Sequence, residues 1–173
     1  SVSLEQANDR TSFRTSLTYL DNEWMMPNTG FNRFNFAGSL SHKLNDRLKI
    51  STKLAYSRMK SDNLPATGYN NQSISYFMIF QNPNVDLKWY QPIWKNGQEQ
   101  IDQIHPFSSF IDNPYLIAYE MLNGVDKRTI SGSMTVDYNF NNHFSMMFRS
   151  GIEVLNEERT TKRPWSSANY RKG

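Results

Sequence analysis

The chain has no cysteine in its 173 residues. Disulfides, thiolate metal sites and cysteine nucleophiles are excluded at once. It also lacks any apolar run approaching about eighteen residues, which removes the membrane helix as a structural option. Histidine is scarce: His42, His105 and His143 stand far apart, and none belongs to a pair at metal-ligand spacing, so no metal site and no cofactor is expected. There is no Gly-x-Ser-x-Gly turn and no phosphate loop. Glu120, Glu153 and Glu157 have no convincing carboxylate partner for glycoside hydrolysis. The expectation is a chain that is not an enzyme and has no catalytic residues. A dominant charge sign is missing too. Lys and Arg total 19 against 16 Asp and Glu, and the cations are scattered rather than clustered, so no nucleic-acid partner is expected. An initiator methionine and a signal peptide are absent from the opening SVSLEQANDR, which reads as a strand end entering a turn. The expectation from this is a piece of something longer.

What is present is alternation. Hydrophobic residues make up 38 % of the chain and aromatic residues 14 %, a balance that suits one oily face and one wet face. In 31–57, Phe34, Phe36 and Leu40 fall on one side, and Arg33, Asn35, Ser39 and Ser41 on the other. After the polar turn Leu44–Arg47, the apolar set Leu48, Ile50, Leu54 and Tyr56 alternates with Lys49, Ser51, Lys53 and Ser57. The same period of two marks five strands, at about 12–20, 31–43, 48–58, 127–138 and 144–154, with Val2 and Leu4 as a further strand tail. Strands of roughly eleven residues match the length of a tilted membrane crossing.

Connections alternate between short and long. The turns after Leu4, Leu44 and Phe140 are brief; those after Leu20, Arg58 and Val154 are longer. One trimmed rim and one elaborated rim are the pattern of an outer-membrane barrel. Phe13, Tyr19, Phe31, Tyr56, Tyr138 and Phe144 stand at strand ends, where interfacial rings belong. The fold class expected is all-β: an antiparallel segment of a transmembrane β-barrel, with one long outer loop, 59–125, containing short helical turns. Within that loop, Ser73–Phe80 after Asn70 and Asn71 reads as a short capped helix, with a buried strand as the alternative. Asn113–Asn123 supplies another helical turn or two after Pro114. The segment 156–173 reads as exposed loop, and the letters show no internal repeat.

Two groups of residues are candidates for contact. In the loop, Trp89, Tyr90 and Trp94 with Asp102 offer flat rings and polar groups to a sugar, a peptide or a partner protein; their competing role is to pack the loop itself. On the wet face of the strands stand Arg14, Arg33, Lys53, Asp137, Arg149 and Glu153. In a membrane barrel these face the lumen, because charge facing lipid costs kilocalories.

The stretch from Ser12 to Asp62, with Tyr19 at a strand end and Gly30, Arg33 and Phe34 opening the next strand, resembles the barrel of SusC/RagA-type TonB-dependent transporters of Bacteroidetes outer membranes. Asn113-Pro114-Tyr115, the strand from Lys127-Arg128 to Asp137-Tyr138, and Gly151–Glu153 extend the likeness. The resemblance implies part of an outer-membrane importer for oligosaccharides or oligopeptides. It also implies partners: the plug and remaining barrel segments, a SusD-like surface lipoprotein, TonB through an N-terminal part not in this chain, and membrane lipid. The location implied is the outer membrane of a Gram-negative bacterium, as a multi-pass barrel. The plug and coupling box have no counterpart here. The alternatives are a passive outer-membrane porin, a secreted carbohydrate-binding β-sandwich and a surface structural or adhesin module.

Overall fold

The structure, a computed structural model, describes residues 1–69 and 73–168. Asn70, Asn71 and the last residues of the tail read above as loop lie outside the described residues. Six strands form one sheet: β1 (Val2–Ala7), β2 (Thr11–Glu23), β3 (Gly30–Lys43), β4 (Leu48–Asn63), β5 (Asn123–Asn139) and β6 (Ser145–Thr161). They lie side by side in chain order, as an antiparallel meander. Between β4 and β5 come helix α1 (Ile74–Phe80), a 3-10 turn (Leu87–Tyr90) and helix α2 (Pro114–Tyr119).

β1 and β6 are the two edges of this sheet and do not pair with each other, so the sheet is open. This corrects the expected fold class, a wall segment of a transmembrane barrel. Alternation and strand length determine which residues share a face and how far a hairpin runs. Closure needs something else, a matched tilt and stagger that bring the first strand against the last. Neither property is written in a period of two.

The chain divides into two compact units. A sheet unit comprises Ser1–Asp21, Asn32–Lys60 and Asp126–Glu158. A loop unit comprises Asn22–Phe31, Ser61–Val125 and the described part of Arg159–Gly173.

In the sheet unit, side chains sort by period two. The β1–β2 register sets Val2 opposite Leu17 and Glu5 opposite Arg14. Phe34 and Tyr56 meet ring to ring on one face, at 6.3 Å. On the other face, Ser41 and Ser51 share a hydroxyl hydrogen bond of 3.0 Å, and Ser57 donates to the Asn35 Oδ1 at 2.7 Å. Three turns are built alike. The side-chain carbonyl of Asn8 accepts from the backbone N–H groups of Arg10 and Thr11. Asn45 does the same for Arg47 and Leu48, and Asn141 for His143 and Phe144. An Asn side chain standing in for a backbone carbonyl is what lets so short a connection reverse the chain.

The loop unit holds the core. Every buried hydrophobic residue among the described ones lies in it: Phe77, Tyr90, Ile111, Leu116, Ile117, Ala118, Met121 and Val125. One cluster joins Phe77, Tyr90 and Ile111; a second joins Leu116, Ile117 and Met121. Asn113 starts α2 by accepting from Tyr115 N at 2.9 Å, with Pro114 in the first turn where no N–H is needed. Asp86 caps the 3-10 turn through Lys88 N. Beneath these elements lies a buried polar node. The Asp112 carboxylate accepts from Gln103 Nε2 at 2.7 Å, Ala168 N at 2.8 Å and Ser167 Oγ at 3.0 Å. Gln103 in turn accepts from Asn113 N, and Asn113 donates to the carbonyls of Tyr90 and Ile104. A sequence without a strong period is thus tied together here by the side-chain hydrogen bonds of Asp112, Gln103 and Asn113.

Candidate functional site

The polar face of the sheet unit carries a concave groove of about 740 Å³. Its size falls within the usual range of small-ligand sites, roughly 300–1,000 Å³. Arg14 of β2, Lys53 of β4 and Glu153 of β6 line it, together with the hydroxyls of Ser16, Ser39, Ser131 and Ser133. Small residues floor it: Ala37, Ala55 and Gly151. A residue larger than serine at these positions would fill the depression.

The register explains the arrangement. The Ser41–Ser51 contact, carried two residues along each strand, sets Ser39 beside Lys53. The backbone bond from Asn139 N to Arg47 O, carried six residues along, sets Ser133 on the other side of Lys53. The Lys53 ammonium therefore rises between two hydroxyl-bearing neighbours. Neither Arg14, Lys53 nor Glu153 makes an ion pair among the described residues.

The other wet-face candidates sit outside the groove lining. Arg149 donates from Nε to Thr135 Oγ1 at 3.3 Å, and Arg33 from Nη2 to Met59 Sδ at 3.5 Å. Asp137 follows Thr135 on the same side of β5 by alternation. In the loop unit, the four contact candidates are in unlike surroundings. Trp89 is 67 % exposed, whereas Tyr90 is 8 % exposed, edge-on to Phe77, with its hydroxyl donating to Gln81 Oε1. Trp94 packs against the Leu116 cluster. Asp102 pairs with Lys95 at 2.6 Å. The structure brings these four into no common cluster.

A charged cluster of a different kind lies on the opposite, apolar face. Asp126 is gripped by two guanidinium forks: Arg58 donates through Nε and Nη2 at 3.1 and 2.7 Å, and Arg128 through the same atoms at 3.2 and 2.8 Å. These hydrogen bonds, Arg58's first, hold the Asp126 carboxyl well below the usual carboxylate range, and the same bond raises Arg58. Two carboxylate oxygens are fully used by four donors, so the triad is a clamp between β4 and β5 and has no lone pair to spare for chemistry.

No protein-family model matches this chain, and no curated protein matches it. With the open sheet, this overturns the SusC/RagA reading. The importer function and the multi-pass outer-membrane location that rested on it are withdrawn, and the transmembrane-strand description with them. No helix among the described residues is long and apolar enough to cross a membrane. The plug, SusD-like lipoprotein, TonB and lipid partners came only from the resemblance and are not carried further. No group of three or more His, Cys, Asp or Glu among the described residues is placed to hold a metal.

The four groove serines were missed as site residues in the sequence. Their signal was there: Ser16, Ser39, Ser131 and Ser133 all occupy wet positions of the alternating strands. What the letters lacked was the register that sets these positions side by side.

Proposed function

We propose that the chain is a glycan-binding β-sheet module, with the polar groove of the sheet unit as its binding surface. The observation that carries this reading is the groove's make-up: a shallow depression floored by alanine and glycine, fringed by serine hydroxyls, and lined by two cations and a carboxylate that make no ion pair among the described residues. Sugar rings present hydroxyls that both donate and accept. A surface of short hydroxyls matches them without bulky side chains to displace, and Lys53, Arg14 and Glu153 supply charge-assisted hydrogen bonds of both polarities. The role is binding rather than catalysis. In the loop unit, Trp89 is the contact candidate whose ring is open to solvent and able to stack on a sugar face; Tyr90 and Trp94 serve that unit's packing.

Isothermal titration against a panel of neutral and acidic oligosaccharides tests the reading. The chain is expected to bind members of the panel at micromolar to millimolar Kd. Filling the groove by Ser133→Trp or Ala55→Trp is expected to weaken binding at least tenfold without altering the far-UV circular dichroism. A chain that binds no glycan, or filled variants that bind as well as the parent, would sink the proposal.

A further inference from the structure

We infer that the groove selects glycans bearing carboxylate groups, with Lys53 as the anchor; this rests on the glycan-binding reading above. Within the groove lining, two cations, Arg14 and Lys53, face one anion, Glu153. Lys53 stands on the third of the five strands that line the groove, flanked by Ser39 and Ser133, with no carboxylate paired to it among the described residues. An ammonium beside two hydroxyls is a ready donor site for an anionic oxygen, since all three groups can donate hydrogen bonds to it. Arg14 is the second cation. Glu5 lies opposite it on β1 but makes no ion pair with it, so its guanidinium fork is available for a bidentate contact. Glu153, on the β6 side, accepts from sugar hydroxyls and repels a second carboxylate placed there. The layout therefore suits a uronic-acid chain in which acidic groups are spaced, with one held at Lys53, rather than a uniformly dense polyanion.

The test compares an oligogalacturonide with its methyl ester, which has the same rings and linkages but no charge, in titrations at low and moderate salt. The acid is expected to bind about fivefold more tightly at low salt, the range open to an exposed charge pair. The preference shrinks as salt rises toward 0.15 M, because exposed pairs are screened. Lys53→Gln removes most of it, and Lys53→Arg keeps it. Polyglutamate of similar length serves as a charge control and binds more weakly than the oligogalacturonide. If acid and ester bind alike, or Lys53→Gln leaves the preference intact, the inference falls while the glycan-binding reading stands. If polyglutamate binds as well as the oligogalacturonide, the ring is not being read and the inference also falls. If neither acid nor ester binds, the inference falls, and the glycan-binding reading is decided by the wider oligosaccharide panel.

Discussion

Asp126 shows how much a single side chain can organise on an exposed strand pair. Its carboxylate joins Arg58 of β4 to Arg128 of its own strand β5, with four short donor contacts. Because its folded pKa is depressed, the stabilisation is fully present above the ordinary carboxylate value of about 4. It is lost as pH falls through the folded pKa. The wild-type chain should therefore lose stability on the acid side of about pH 4. Asp126→Asn should be less stable near neutrality and show a flatter profile in that acid range. Urea titrations at a series of pH values read both effects; parallel profiles for the two proteins would remove the clamp from the account. The groove residues carry a different lesson at this scale. Arg14, Lys53 and Glu153 were readable as wet-face residues from alternation alone, whereas Tyr90 and Trp94 could not be sorted into packing residues until their neighbours were known.

The turn is the element that makes the sheet unit possible. Asn8-Asp9-Arg10 and Asn45-Asp46-Arg47 are the same three letters, and Asn141-Asn142-His143 is a variant of them. Each opens on an asparagine whose carbonyl accepts from the two residues that start the next strand. A repeat was therefore present, too short to stand out in a search for long periods. Asn45→Ala is expected to lower the unfolding free energy by about 1 kcal/mol, since the two exposed N–H groups fall back on water. Asn45→Asp should retain most of the stability, because an ionised carboxylate accepts the same two bonds. Equilibrium urea denaturation distinguishes them, and an unchanged midpoint for Asn45→Ala would show the turn holds without its side chain. Strand placement was legible because period two is a strong local signal. The core of the loop unit was not, because Gln103 and Asp112 find their partners at Ser166, Ser167 and Ala168, far along the chain, and no local pattern announces such pairing.

Across the whole molecule the distribution of apolar surface is uneven. The sheet unit contributes no buried hydrophobic residue, and its apolar face leaves Leu17, Phe34, Leu54, Ile130, Phe148 and Ile152 exposed. A contiguous patch of that kind is unusual for a protein surface and reads as a place for association. The chain is expected to enhance the fluorescence of a hydrophobic dye strongly. Ile130→Lys combined with Phe148→Lys, two exposed side chains of the apolar face outside the groove lining, should reduce that signal severalfold while leaving glycan titrations unchanged. Undiminished dye binding by the double variant would show that the dye sits elsewhere than on this face. The faces themselves were evident in the sequence, but whether the outer strands meet was not, because closure is a property of six strands together. The division into two units has a practical meaning for anyone dissecting the chain. Each unit is assembled from three separate stretches. Truncation from either terminus removes parts of both before it isolates either. Expressing the groove alone thus calls for splicing out 61–125 with a short linker, shortening the 22–31 connection and trimming from 159, a surgical rather than a serial deletion.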